Sequence, residues 1–221
     1  MAKTKPNRKE ELALRQAGYE YIAGVDEAGK GAWAGPLVAA AVILPADFSV
    51  AGVNDSKVLS AAQREKLFVH ITRQALSWAV AVVSSQYIDQ HGIVKANKKA
   101  LLDAVKKLHR KPAAVLVDAV PIKHGKKPVK AIVDGDAKVV SIAAASIVAK
   151  VVRDTLMNGE HRLYPEYEFH RHKGYGTSRH HQLLLAHGPS PIHRRSFRPL
   201  NGSSVARRVA GRRVPIRSSK R

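Results

Sequence analysis

Hydrophobic and polar positions along this chain follow two different periods, which predict strands and helices. Two apolar runs, 21–25 and 37–44, flank a segment that contains several glycines. Apolar runs of this length on either side of a glycine turn predict a β-hairpin. Three further runs of apolar and β-branched residues predict strands at 79–84, 113–118 and 129–133.

Helical periodicity appears between and after these strands. Residues 60–74 carry apolar side chains on one face and begin with Ser60, a candidate N-cap. Residues 93–108 place leucines and a valine on one face and lysines on the other. The segment 137–154 is apolar on almost every side, which predicts a helix buried on all faces. Its alanines and serines would allow it to approach a sheet closely.

The order of these elements predicts an α/β domain. A chain that begins with strands and then alternates strands with helices favours a mixed sheet covered by helices. We expect a polar lead-in at 1–20 and a single domain over 21–200. The remaining 201–221 are rich in Gly, Ser and Arg and are expected to form a flexible basic tail. The alternative for this tail is a last amphipathic helix.

Charge is the strongest signal in the composition. The chain has 38 Lys and Arg against 17 Asp and Glu, a net charge of +21, concentrated toward the C-terminus. Such a field favours polyanionic partners, nucleic acid first. There is no cysteine, which excludes disulfides, thiolate zinc sites and cysteine nucleophiles.

The composition also predicts where the protein resides. The first residues are charged and lack the apolar core of a secretory signal. No apolar run approaches the roughly 20 residues that a membrane-spanning helix needs. We therefore expect a soluble, cytoplasmic protein without a membrane partner.

Four carboxylates stand out because each lies beside apolar core. Asp26 and Glu27 end the first strand, Asp118 ends an all-apolar strand, and Asp136 precedes the buried helix. An unpaired buried charge is unfavourable, and sharing divalent cations would resolve this. Each residue could instead cap or terminate its element, and Asp136 could be a helix N-cap. Spacing alone leaves both interpretations open.

Six sequence blocks resemble type-2 ribonuclease H, and they occur in that family's order over residues 20–200. They are GVDEAGKG at 24–31 with AGP at 34–36, DSK at 55–57, GDAK at 135–138, SIAAASIVAK at 141–150, HKGYGT at 172–177 and GPSPIHRRSF at 188–197. One such block could arise by chance. Six in order identify the chain as a member of this family.

The resemblance implies an RNase H-like fold, a five-stranded mixed sheet flanked by helices, with a C-terminal helical extension from about residue 155. It implies that Asp26, Glu27, Asp118 and Asp136 are catalytic and bind two divalent metal ions, Mg²⁺ or Mn²⁺. Asp118 is the least secure, since Ala119 stands where the family often has glycine. The family's Gly-Asp pair falls on Gly135 and Asp136, so the nearby Asp134 is not expected to be a ligand.

The resemblance also implies an activity. The family hydrolyses the RNA strand of RNA–DNA hybrids and cuts at single ribonucleotides embedded in duplex DNA, leaving 5′-phosphate and 3′-hydroxyl ends. The implied partner is thus an RNA–DNA hybrid or a ribonucleotide-containing duplex. We expect a monomer with no obligatory protein partner, and the C-terminal Ser-Ser-Lys-Arg offers no aromatic pair for a clamp protein.

Six residues resemble the family's nucleic-acid contacts. Gly29, Lys30 and Gly31 match its glycine turn, where a backbone without Cβ can approach a ribose and pair with the 2′-hydroxyl. Tyr175 matches a tyrosine that packs on the sugar after the ribonucleotide. Its alternative role is that of a buried core residue. Two lysines match phosphate-positioning residues and could equally be solvated: Lys57 and Lys150.

The chain departs from the family in this opening region. Lys30 replaces a common arginine, and a lysine cannot reproduce a bidentate guanidinium. Trp33 replaces a leucine, and we expect it to fill a hydrophobic gap. The histidines at 170, 172, 180 and 181 could suggest zinc, but basic neighbours and the absence of cysteine disfavour it.

Two alternative functions remain open. A non-catalytic nucleic-acid-binding protein would use the same positive surface but would cleave nothing. Another nuclease on the same fold, such as a junction resolvase, would cut DNA that contains no ribose.

Overall fold

A computed structural model of the chain describes residues 5–49 and 51–201. The strands are β1 (Ile22–Ala28), β2 (Leu37–Ile43), β3 (Ser77–Val83), β4 (Ala114–Asp118) and β5 (Val129–Ile132). The helices are α1 (Lys9–Gln16), α2 (Ala61–Gln74), α3 (Ser85–His91), α4 (Ile93–Lys107), α5 (Gly135–Lys138), α6 (Val140–Leu163), α7 (Phe169–His172) and α8 (Ser178–His187).

The five strands form one mixed sheet in the order β3-β2-β1-β4-β5. β1 pairs antiparallel with β2, and β2 pairs antiparallel with β3. β4 lies parallel to β1, and β5 lies parallel to β4. The predicted hairpin and the predicted mixed five-stranded sheet are therefore confirmed.

Helices cover both faces of the sheet. On one face, α4 buries Leu101 and Val105 against Val25 and its neighbours. On the other face, α6 packs Ala144 and Ile147 against β2. The strands β1, β2 and β4 are thus buried between two helical layers, as their apolar sequences require. No helix within the described ranges is long and apolar enough to cross a membrane.

The small residues of α6 let it lie very close to β1. A Cβ added at Gly24 would stand 2.1 Å from the backbone carbon of Ser141. The helix backbone therefore occupies the space that any side chain at residue 24 would need. This close approach sets the distance between α6 and β1, the strand that carries Asp26.

Two helix boundaries differ from the prediction. The predicted single helix at 137–154 is a four-residue α5 followed by α6, which starts at Val140. Asp136 lies inside α5, and its side chain caps neither helix. α6 also continues to Leu163, because Met157 is fully buried against the residues that follow the helix. Tertiary packing thus overrides the weak helix propensity of Gly159.

The predicted helix at 60–74 is confirmed, including its cap. Ser60 accepts a hydrogen bond from the backbone of Gln63, whose side chain accepts one from the Ser60 backbone. This reciprocal pair is a capping box.

Both ends of the described chain contact the domain. Glu11 of α1 is buried and accepts a hydrogen bond from the Ser141 backbone at 2.9 Å. After α6, the chain forms α7, α8 and a segment that returns to the loop between β1 and β2, where Ala34 bridges His193. The predicted flexible tail at 201–221 lies outside the described residues after 201.

We predict that Gly24→Ala lowers the free energy of unfolding by about 1–3 kcal/mol, because the added methyl group would overlap the backbone of α6. The matched control is Gly159→Ala in the exposed middle of α6, where a Cβ meets nothing within 4 Å. That change should stabilise the protein by about 0.5–1 kcal/mol. Urea denaturation measures both, and equal stability of Gly24→Ala and the unmodified chain would contradict the packing described.

Candidate active site

The parallel pairing of β1 and β4 brings two of the four carboxylates together. The register places Val25 opposite Val117, so Asp26 and Asp118 follow side by side at the same end of the two strands. Neighbouring strands lie about 4.8 Å apart. Asp26 is 4% exposed, whereas Asp118 lies half-buried at the strand end.

Glu27 lies at the same strand end but on the opposite side of β1. Side chains alternate along a strand, so Asp26 faces α6 with Gly24, whereas Glu27 faces α4. There it neighbours Asn97, a buried amide of that helix. The Oε2 atom of Glu27 is buried and has no hydrogen-bond partner.

Asp136 approaches from α5. The Asp118 Oδ1 atom accepts a hydrogen bond from the Gly135 backbone at 2.7 Å, which ties α5 to the end of β4. Asp134, in left-handed backbone conformation at φ 53°, turns the chain into this short helix. The buried Asp136 carboxylate accepts a bond from Lys57 Nζ at 2.7 Å.

Burial and mutual repulsion dominate the electrostatics of this site. Burial, followed by the charges of Glu27 and Asp118, raises the pKa of Asp26 well above its usual value. Burial also raises the pKa of Glu27 and of Asp118, although Lys30 opposes the shift at Glu27. Burial lowers the pKa of Lys57, but its bond to Asp136 more than compensates and raises it overall.

These residues suit a divalent cation by their chemistry. Several carboxylate oxygens lie in a site of low exposure, and the Glu27 Oε2 atom has no partner there. Oxygen donors of this kind are the ones that Mg²⁺ and Mn²⁺ prefer. Within residues 5–49 and 51–201, however, no three acidic or histidine side chains converge as a complete metal site. The Asp136 carboxylate forms an ion pair with Lys57, whose side chain is 74% exposed.

The carboxylates open into a cavity of about 220 Å³. Nine of the ten residues expected at the site line it, and Asp136 is joined to it through Lys57. The lining residues from the sequence prediction are Asp26, Glu27, Gly29, Lys30, Gly31, Lys57, Asp118, Lys150 and Tyr175. The structure thus brings residues from four of the six sequence blocks, together with Asp118, to one place.

The glycine turn forms one rim of the cavity. Gly29 is buried with φ +91°, a conformation that side-chain-bearing residues rarely adopt. Gly31 is exposed, and a Cβ there would meet nothing within 4 Å. Among the described residues, the N–H groups of Lys30 and Gly31 donate to no protein acceptor. They remain available to an incoming ligand.

Tyr175 forms the facing rim. Its ring lies 5.0 Å from the Arg153 guanidinium carbon and 5.3 Å from Lys150 Nζ. Lys150 also donates to Asp154 at 2.7 Å. The tyrosine ring therefore stands at the cavity wall and is not part of the packed core.

Several neighbours of the site were not predicted from the sequence. Ser56 and Ser146 share a hydrogen bond of 2.8 Å between their hydroxyls and line the cavity. Asn97 neighbours Glu27, and Arg153 lies beside the Tyr175 ring. A polar residue on an otherwise apolar helix face is a detectable signal for Asn97.

The histidine-rich stretch supports the loop that carries Tyr175. His193 Nδ1 accepts from the Ser190 backbone, so its Nε2–H donates to His180 Nε2 at 3.0 Å. The Nδ1–H of His180 then donates to the Tyr175 carbonyl at 2.9 Å. Burial lowers the pKa of His180 to about 4 and of His193 to about 3, which keeps both rings neutral. Trp33 packs beside His180 and against Gly176, as expected for a gap-filling residue.

Comparison with known proteins identifies the family. A family model described as Ribonuclease HII matches residues 23–199. A ribonuclease HII from Desulfitobacterium hafniense is 52% identical over 192 residues, 87% of this chain and 74% of the relative. One from Listeria monocytogenes is 47% identical over 205 residues, 93% of this chain and 78% of the relative.

A solved structure resembles the fold as well. The ribonuclease H2 from Pyrococcus horikoshii has a TM-score of 0.70 and 27% identity, covering 86% of this chain and 97% of its own. This confirms the RNase H-like fold that the sequence blocks implied. The chain belongs to the ribonuclease HII family and is an endoribonuclease.

Proposed function

We propose that this protein is a metal-dependent endonuclease that cuts RNA–DNA hybrids and also single ribonucleotides embedded in duplex DNA. Membership of the ribonuclease HII family makes it an endonuclease for the RNA strand of hybrids. The metal requirement and the single-ribonucleotide activity go beyond that membership. The observation that carries them is one cavity that joins carboxylates of low exposure to a glycine turn and a half-buried tyrosine.

The proposed metal ligands are Asp26, Glu27, Asp118 and Asp136, and the proposed cofactors are two divalent ions, Mg²⁺ or Mn²⁺. Bound there, such ions would neutralise the carboxylates and supply electrophilic stabilisation to the phosphodiester under attack. The raised pKa values of Asp26, Glu27 and Asp118 mark a site with too few cations of its own. Products with 5′-phosphate and 3′-hydroxyl ends are expected.

Selection of ribose is assigned to the two rims of the cavity. The free N–H groups of Lys30 and Gly31 can donate to a 2′-hydroxyl, which is both donor and acceptor. Gly29 allows the backbone to come close. The ring of Tyr175 can pack on the following sugar and disfavour an additional hydroxyl there. Cleavage at an RNA-to-DNA junction follows from this arrangement.

Lys57 and Lys150 are proposed to hold backbone phosphates. Both line the cavity, and each now donates to a carboxylate on the protein. An incoming phosphate offers the same type of acceptor. Release of Asp136 by Lys57 would then free that carboxylate for a cation.

The proposed setting is simple. The protein acts in the cytoplasm as a monomer without an obligatory protein partner. Its net charge of +21 attracts a nucleic-acid duplex directly.

We predict that Asp26→Asn abolishes cleavage while duplex binding is retained, because the amide keeps the shape but not the charge. Gel analysis uses three conditions: a duplex with one ribonucleotide, the same duplex in all-DNA form, and the first duplex with EDTA. Only the first should be cut, by the unmodified chain.

The matched control for this experiment is Asp134→Asn. Asp134 is exposed, and asparagine tolerates its left-handed backbone. This variant should cut normally. Cutting of the all-DNA duplex would favour a different nuclease, binding without any cutting would favour a non-catalytic role, and full turnover by Asp26→Asn would overturn the proposal.

We further predict that Asp26→Asn is more stable than the unmodified chain at neutral pH in EDTA. Burial and the neighbouring carboxylates raise the pKa of Asp26, so the ionised form is unfavourable in the folded state. Stability of the metal-free protein should therefore fall as pH rises above the unfolded value, about 3.9.

Calorimetry with and without Mg²⁺ completes this test. Ions that bind only the folded state raise its melting temperature. The unmodified chain should gain more from Mg²⁺ than Asp26→Asn does. Equal melting temperatures in EDTA, together with equal gains in Mg²⁺, would argue against a metal site at Asp26.

A further inference from the structure

Two arginines are fully buried behind the active-site cavity. Arg153 of α6 and Arg194, in the segment that follows α8, are each 0% exposed. Neither forms an ion pair with a carboxylate within the described ranges. A buried cation without a counter-ion is unfavourable unless its N–H groups are fully used. The partners of these N–H groups therefore indicate their purpose.

All of their side-chain hydrogen bonds go to backbone carbonyls. Arg153 donates to Pro36 at 2.9 Å, to Ala34 at 3.2 Å and to Lys173 at 3.0 Å. Four of the six bonds that the two arginines form go to carbonyls of residues 34–36.

Arg194 completes the set from the other side. It donates twice to the Gly35 carbonyl, at 3.1 and 3.0 Å, and once to the Lys30 carbonyl at 2.9 Å. Five of the six bonds thus hold residues 30–36, and the sixth holds Lys173, two residues before Tyr175.

Arg153 also touches both rims of the cavity. A Cβ added at Gly29 would stand 1.9 Å from its Nε, so the guanidinium lies directly beneath the glycine turn. Its Cζ lies 5.0 Å from the Tyr175 ring centroid. One planar group therefore sets the position of the turn relative to the ring.

The direction of these bonds matters for the turn. The carbonyls of Lys30, Ala34 and Gly35 point inward to the two cations. Within residues 5–49 and 51–201, no acceptor takes a hydrogen bond from the N–H groups of Lys30 and Gly31. The inward carbonyls and the exposed N–H groups together present a donor surface to the cavity.

From this geometry we infer that Arg153 and Arg194 are positioning residues for ribose selection. They hold residues 29–36 and the Tyr175 ring at the spacing that fits one ribose, and they do so by the fork of the guanidinium and not by charge alone. The inference rests on the proposed function, since it concerns the same two rims. Neither side chain reaches the cavity itself.

The test separates geometry from charge. Arg153→Lys and Arg194→Lys keep a cation but lose the planar fork, whereas Arg153→Met and Arg194→Met lose both. All four are made in the Asp26→Asn background, so that no duplex is cut. The measured quantity is the ratio of affinities, in Mg²⁺, for a duplex with one ribonucleotide and for the same duplex in all-DNA form. Exposed Arg162 on α6 and exposed Arg195 serve as lysine-substituted controls.

We predict that the affinity ratio falls about tenfold in both lysine variants, and by a similar factor in the methionine variants. The reason is that a small displacement of a binding group strongly reduces its contribution. General destabilisation would weaken binding to both duplexes alike and leave the ratio unchanged. The Arg162→Lys and Arg195→Lys controls should keep the full preference. Preference retained in the lysine variants would overturn the inference, since charge alone would then suffice.

A second measurement is made on the unmodified chain and needs the variants only for assignment. In the unmodified chain, NMR of ¹⁵N-labelled arginine should show slow solvent exchange for two Nε–H groups, those of Arg153 and Arg194. Assignment comes from loss of one signal in each single variant that folds. Absence of slowly exchanging Nε–H signals would overturn the inference as well.

Failure of the proposed function and failure of the inference about the arginines give different results. If the Asp26→Asn parent itself shows no preference for the ribonucleotide duplex, the proposed function is wrong and the inference falls with it. If the parent shows the preference and the arginine variants share it, only the inference is wrong.

Discussion

The burial of like charges at the end of two parallel strands constrains the rest of this molecule. Asp26 and Asp118 are adjacent because β1 and β4 run parallel in register, with no freedom to separate. Glu27 adds a third charge from the other side of the same strand. Burial disfavours the ionised form of all three carboxylates, and their mutual repulsion adds to this effect, so the pKa of each is raised. A site of this kind favours the binding of cations.

The protein meets that requirement only in part by itself. Backbone N–H groups serve Asp118 and Asp26, and Lys57 serves Asp136. Among the described residues, the Glu27 Oε2 atom has no hydrogen-bond partner. Unfavourable burial of charge is common at functional sites, and here it coincides with the cavity that we propose for cations and phosphates.

Much of this arrangement could be predicted from the sequence. The hairpin, the N-cap at Ser60 and the mixed sheet follow from local pattern and turn chemistry. The four carboxylates attract notice because each borders apolar core, but their convergence depends on strand order, which local pattern does not encode. The break between α5 and α6 is not apparent from the sequence, because Val139 is extended in the structure but continues the apolar pattern into Val140. The extension of α6 to Leu163 was missed because Met157 is held by packing against distant residues.

The buried arginines show most clearly why sequence alone falls short. In a chain with 38 basic residues, nothing in composition separates Arg153 from a solvated neighbour. Its acceptor at Pro36 is 117 residues away, and the acceptor of Arg194 at Gly35 is 159 residues away. Exposed lysines and arginines supply a field that attracts any duplex and that salt weakens. Selection of one sugar requires hydrogen-bond donors that are fixed within a few ångströms of its 2′-hydroxyl. A glycine-rich turn is held in a fixed position only by buried groups that form several hydrogen bonds to it. The same residue type therefore performs two separate tasks here, and burial decides which.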